Sequence, residues 1–77
     1  MRPKQTEINL REKEVLKAMA DANLNVTEAA IFLWIARNSV VYHLKKIKRK
    51  TGLDPRNFYD MVKLLKYIKE KPNENQT

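Results

Sequence analysis

The sequence predicts an all-α protein with four helices in a single domain that covers residues 1–77. Apolar side chains recur at helical spacing in four separate segments, whereas one Gly and three Pro are too few for the turns of a sandwich or a barrel. A chain of 77 residues has room for one domain with a modest core. The polar ends, residues 1–8 and 72–77, lack periodicity, and we expect them to be flexible.

The first helix is expected over residues 10–22. Asn9 and Glu12 have the spacing of a capping box, in which the Asn side chain accepts from the third helical N–H and the Glu side chain reaches back. From Val15 to Met19 the apolar residues fall on one stripe, and charged residues occupy the other face. The pattern is that of an amphipathic helix.

A second capping box, Asn25 with Glu28, starts a short helix over residues 26–33. Ala29 and Ala30 lie on its apolar side. Small side chains allow the next helix to cross closely, and a connector of three residues joins the two. This arrangement is typical of a helix-turn-helix, although many small helical proteins also contain two crossed helices.

The third helix is expected over residues 37–50, with an apolar stripe of Val40, Leu44 and Ile47. Gly52, the only glycine, is suited to the left-handed position that ends a helix. A core-facing stripe at this spacing leaves the opposite side of the helix free for other chemistry.

The fourth helix is expected over residues 56–71, with Pro55 admitted at its start. We expect Phe58, Val62 and Leu65 to form the stripe that packs on the rest of the domain.

Two further side chains are expected to have a structural role and not a functional one. Trp34, in the connector, is expected to pack in the core, and His43 is expected to be partly buried. A lone histidine in a chain without cysteine predicts no metal site and no cofactor, and no nucleophile–base pair has a workable spacing for an enzyme. Because the chain lacks an apolar run that could span a bilayer or form a signal peptide, we expect a cytoplasmic protein without a membrane partner.

Positive charge is concentrated in one part of the chain. The net charge is +7, and no acidic residue occurs between residues 29 and 53. All the cations of this span belong to the third helix and its end: Arg37, Lys45, Lys46, Lys48, Arg49 and Lys50. A field of this kind predicts a nucleic acid as partner.

The face of the third helix opposite its apolar stripe carries mixed chemistry. At 100° per residue, its members are Asn38, Tyr42, Lys45 and Arg49, flanked by Val41 and Lys46. The three residues expected to read bases in a major groove are Asn38, Val41 and Tyr42. Those expected to contact phosphates are Arg37, Ser39, Lys45, Lys46 and Arg49.

The segments LREKEVLKAM, NVTEAA and RNSVVYHLKKIKRKTGLDPRN resemble two related groups of helix-turn-helix regulators. The chain resembles the LuxR/GerE type in REKEVL and YHLKKIKRKTG, and the PucR C-terminal type more closely, in RNSVVYHLKKI and TGLD. The resemblance implies a four-helix LuxR/GerE-like domain that binds double-stranded DNA in a sequence-specific manner and regulates transcription. Two positions depart from the LuxR pattern: Ala36 stands where Ser or Thr usually caps the third helix, and Val41 stands where Lys is frequent.

The fourth helix has a second apolar stripe, made of Met61, Leu64 and Ile68, beside the one assigned to the core. Relatives of the GerE type pair through this helix, so the resemblance implies a homodimer in which this second stripe meets its two-fold mate. A monomer, with the stripe packed inside one domain, is the other possibility.

Two other functions fit the same charges. A nonspecific DNA- or RNA-binding module needs only Lys and Arg, and an adaptor needs only an acidic protein partner. The mixed chemistry of Asn38, Val41 and Tyr42 favours base reading over both. No small-molecule ligand is evident from the sequence.

Overall fold

The structure is a computed structural model that describes residues 8–70, and this part of the chain consists of four α-helices without a strand. The helices are α1 (Leu10–Asp21), α2 (Val26–Leu33), α3 (Arg37–Thr51) and α4 (Phe58–Glu70). The predicted all-α fold is therefore confirmed, with every helix boundary within two residues of its expected position.

Helix α1 is the centre of the fold because it packs against α2, α3 and α4, and α2 packs on α3 as well. The residues with no exposed surface include Val15, Leu16 and Met19 of α1 and Val40 and Ile47 of α3. These are the predicted apolar stripes, and they form one continuous core.

The expected flexible ends fall outside the described residues, except for Ile8. Ile8 is not part of a loose arm, because its side chain is buried in the core just ahead of the Asn9 cap. The Asn9–Glu12 capping box is present in both directions, with Asn9 Oδ1 accepting from the Glu12 N–H at 2.8 Å and Glu12 Oε1 accepting from the Asn9 N–H at 3.0 Å.

The second predicted box forms only in one direction. Asn25 Oδ1 accepts from the Glu28 N–H at 3.0 Å, but the N–H of Asn25 donates to the Ala22 carbonyl instead of to Glu28. The backbone turns tightly here, with Asn23 and Leu24 both at positive φ.

The prediction that Trp34 packs in the core is wrong. Trp34 is the left-handed residue that ends α2, with φ 59° and ψ 41°, and its side chain is 92% exposed. This conformation turns the chain so that the next residue, Ile35, packs against the core, while the Ile35 N–H donates to the Ala30 carbonyl at 3.1 Å. Ile35, and not Trp34, is therefore the residue of this connector that packs against the core.

The two apolar stripes of α4 are exchanged relative to the prediction except at Leu65, which is half-buried and packs against the core as expected. Met61 and Leu64, assigned to a dimer interface, are 2% and 0% exposed and lie in the core of the domain, and Ile68 packs against that core. Phe58 and Val62, assigned to the core, are 62% and 42% exposed. Helical spacing reveals both stripes, but the way α4 lies on α1 decides which one is buried.

Helix α4 also begins later than expected. Asn57 caps it by accepting from the Asp60 N–H at 3.0 Å, so Pro55 lies in the preceding turn, where it is buried. At the other end of that connection, Gly52 ends α3 in the predicted left-handed conformation, with φ 78°.

Candidate nucleic-acid interface

Helices α2 and α3 form a helix-turn-helix on the scaffold of α1. Ala29 is fully buried and Ala30 nearly so, and α2 packs on α3 after a connector of residues 34–36. The small side chains allow this close packing, as predicted from the sequence. Among residues 8–70, no helix covers one long side of α3.

The exposed side of α3 is the one the sequence indicated. Its members are Asn38, Tyr42, Lys45 and Arg49, all of them exposed. The opposite side, with Val40, Leu44 and Ile47, is at most 2% exposed. We call the exposed side the α3 outer face. It offers an amide, a phenol and two cations on a rigid helix.

Three of the predicted contact residues, Ser39, Val41 and Lys46, are only half-buried because they lie at the edges of this face. Val41 packs partly against the core, which leaves only a part of its side chain for a partner. Tyr42 is 57% exposed, and its ring lies edge-on to His43 and 5.7 Å from Lys46 Nζ, a cation–π distance. These two neighbours orient the phenol.

His43 is half-buried, in agreement with its predicted structural role. Its Nδ1 is buried and has no hydrogen-bond partner in the structure. Residues 8–70 contain no cluster of side chains that could hold a metal ion.

The N-terminal end of α3 is fixed to α2 by Arg37, whose Nε donates to Thr27 Oγ1 at 3.2 Å. Ala36 provides no side-chain cap, and the first turn of α3 contains no acidic residue. Uncapped N–H groups and the positive end of the helix dipole favour an anion such as a phosphate at this point.

Comparison with known protein families matches residues 13–67, more than half of the chain, to the PucR C-terminal helix-turn-helix domain. The chain belongs to this family. Comparisons with curated proteins and with solved structures give no match. The predicted PucR resemblance is confirmed, while the resemblance to LuxR/GerE regulators stays a prediction.

In this PucR-type domain, α2 and α3 form the helix-turn-helix, α1 packs against both of them, and α4 packs on α1. The family match makes the protein a DNA-binding regulator of the helix-turn-helix class. No helix within residues 8–70 has both the length and the apolar character needed to cross a membrane.

The cations of α3 differ in whether they form ion pairs within the PucR-type domain. Lys50 Nζ lies 2.7 Å from Glu12 Oε1, and Lys48 Nζ lies 3.8 Å from Asp54 Oδ2. No ion pair involves Lys45 or Arg49 within the described part of the chain. The helical positions already separate the two groups, because Lys48 and Lys50 lie away from the α3 outer face.

From the sequence, Glu12 is expected only to cap the start of α1, but the structure gives it a second contact. Its side chain is fully buried, and Oε1 accepts from both the Asn9 N–H and Lys50 Nζ. One carboxylate thus caps α1 and holds the C-terminal end of α3 against it. The capping spacing predicted the first contact, but nothing local could show the second, 38 residues away.

Proposed function

We propose that this domain is a sequence-specific regulator that reads double-stranded DNA with α3 in the major groove. The observation that carries the proposal is the α3 outer face, where Asn38 and Tyr42 lie exposed beside Lys45 and Arg49. A surface that only neutralised phosphates would need the cations but not the amide and the phenol.

Asn38, Val41 and Tyr42 are the base readers in this proposal. The Asn38 amide can form paired hydrogen bonds to N6 and N7 of adenine, and the exposed part of Val41 can pack on a thymine methyl. Tyr42 offers a hydroxyl that can hydrogen-bond to a base edge, and the contacts of its ring with His43 and Lys46 hold that hydroxyl in place. Asn38 lies near the N-terminal end of α3, the end that contacts base edges in helix-turn-helix complexes.

The phosphate contacts are assigned to the residues that surround these readers: Arg37, Ser39, Lys45, Lys46 and Arg49. Phosphate contacts determine register and supply affinity without reading sequence. A protein with this function works on chromosomal DNA, in the cytoplasm.

We further propose a homodimer, but through a different surface from the one the sequence suggested. The exposed Phe58 and Val62 and the half-buried Leu65 follow one another at steps of four and three residues along α4. We call this stripe the α4 seam. A two-fold contact along it would set two α3 helices about 34 Å apart, and a near-palindromic site would be preferred.

The test is selection of binding sites from a randomised duplex library with the purified protein. One enriched, near-palindromic sequence supports the proposal. Retention of duplexes without any enrichment would indicate a nonspecific module, and a failure to retain DNA at low salt would leave the adaptor function. A parallel selection with Asn38→Ala identifies the base position that this residue reads.

A further inference from the structure

Trp34, the only tryptophan, occupies a backbone conformation that is unfavourable for it. It ends α2 with φ 59° and ψ 41°, in the left-handed region. For a residue with a Cβ this conformation is unfavourable, whereas Gly adopts it freely and is the common residue at such helix ends. A glycine would therefore make the same turn at lower cost.

The turn allows Ile35 to pack, but no contact of the Trp34 side chain with residues 8–70 explains why the residue here is not glycine. The indole is 92% exposed and has no hydrogen bond, ring contact or cation–π contact among residues 8–70. Its neighbours Leu33 and Ile35, in contrast, pack against the core. The side chain of Trp34 thus contributes neither packing nor polar contacts to the stability of the described domain.

The position of Trp34 places it beside the proposed DNA interface. It is three residues from Arg37, the first residue of α3, and four from Asn38. In helix-turn-helix complexes the second helix enters the groove near its N-terminal end, while the first helix crosses the sugar–phosphate backbone. The turn between the two helices therefore lies close to the backbone at the edge of the groove.

We propose that Trp34 is a DNA-contacting residue that binds the sugar–phosphate backbone at the edge of the groove occupied by α3. The indole N–H donates to a phosphate oxygen, and the ring packs on the adjoining deoxyribose. This inference rests on the proposed function. It explains why a large side chain stands in a strained turn where it has no partner within the domain.

Trp34 can be tested directly because it is the only tryptophan and therefore reports alone on its surroundings. The full chain is titrated at low salt with a mixed-sequence duplex, and quenching of its fluorescence by acrylamide, a neutral quencher, is measured. We expect the quenching constant to fall several-fold once enough duplex has been added to bind all of the protein. An unchanged constant in the complex would overturn the inference.

Two substitutions separate the contact from the strain. Trp34→Gly relieves the backbone, so we expect a melting temperature no lower than that of the wild type together with an affinity for the duplex about tenfold weaker, the size of one charged hydrogen bond. Trp34→Phe keeps the ring without the N–H and should lose less. Tyr59→Ala, which removes an aromatic side chain that is 73% exposed on α4, is the control and should bind as the wild type does.

The outcomes distinguish this inference from the proposed function. If Trp34→Gly binds as tightly as the wild type, while Lys45→Ala is weakened, the indole contact is wrong and the α3 interface stands. If the wild type binds no duplex, the proposed function itself fails. Protection of Trp34 that depends on protein concentration and not on DNA would show a contact between protein molecules, and would also overturn the inference.

Discussion

Residues that share the α3 outer face need not have the same function. Asn38 and Lys45 are both exposed there, but an amide makes paired hydrogen bonds with one base, whereas an ammonium group attracts any phosphate. Their loss should therefore have different consequences for sequence preference and for salt dependence.

We expect Asn38→Ala to cost about 1–3 kcal/mol of discrimination at one base position. Lys45→Ala should weaken binding to all sequences alike and flatten the slope of log K against log salt by about 0.9. Titrations of the selected site and of single-base variants at several salt concentrations measure both effects. A preferred sequence that survives Asn38→Ala unchanged would contradict the assignment of Asn38 as a base reader.

Lys50 and Lys48 belong to the same basic segment, but only Lys50 pairs with a fully buried carboxylate, that of Glu12. Lys50→Ala leaves that carboxylate buried without its counter-charge, so we expect a loss of about 3–5 kcal/mol in the free energy of unfolding. Lys48→Ala is the matched control, since its pair with Asp54 is long and exposed and is worth less than about 1 kcal/mol. Urea denaturation compares the two, and equal losses would show that the buried pair has no special role.

At the level of the helices, α4 shows what the amino-acid pattern determines and what it leaves open. Leu64 is fully buried and Val62 is 42% exposed, although both are large apolar residues on one helix. We expect Leu64→Ala to lower the free energy of unfolding by about 2–5 kcal/mol, because it opens a cavity in the core under α4. Val62→Ala should cost less than about 1 kcal/mol, and similar losses in chemical denaturation would reject the assignment of the two stripes.

The same distinction explains which parts of the fold were predictable. The start and the end of a helix depend on residues close in sequence, so the Asn9 cap of α1 and the Gly52 end of α3 could be predicted locally. The choice between two stripes of α4 depends on contacts with α1, which are distant in sequence. The exposure of Trp34 depends on a left-handed turn, and the sequence gives no sign of that turn because it contains no glycine there.

The candidate interface was predictable to a similar degree. The apolar stripe of α3 fixes its opposite face by geometry alone, so the exposed Asn38, Tyr42, Lys45 and Arg49 could be found from spacing. The diversion of Lys50 to Glu12 could not, because it joins two helices through a buried contact. Spacing therefore predicts which side of the helix is free, but not which of its charges are already paired.

At the level of the whole molecule, size and charge act in opposite directions on assembly. A chain of 77 residues buries only about 60% of its unfolded surface, so additional apolar contact between two copies is favourable. However, Lys66 and Lys69 are exposed on the same side of α4 as Phe58 and Val62. Two copies joined along the α4 seam bring like charges together, and salt should strengthen the dimer while it weakens DNA binding.

The decisive prediction concerns this seam. Val62→Glu places a charge in the middle of the contact, so we expect it to yield a monomer that keeps its helices, because Val62 is not part of the buried core. Ile31→Glu is the matched control: Ile31 is 66% exposed on α2, away from α4, and its substitution should leave the dimer intact. Sedimentation of all three proteins at tens of micromolar, at low and at moderate salt, measures the oligomeric state, and circular dichroism checks the helices. A wild-type monomer under both conditions, or a dimer that persists in Val62→Glu, would mean that the exposed seam does not join two copies and that DNA binding proceeds without the two-fold arrangement.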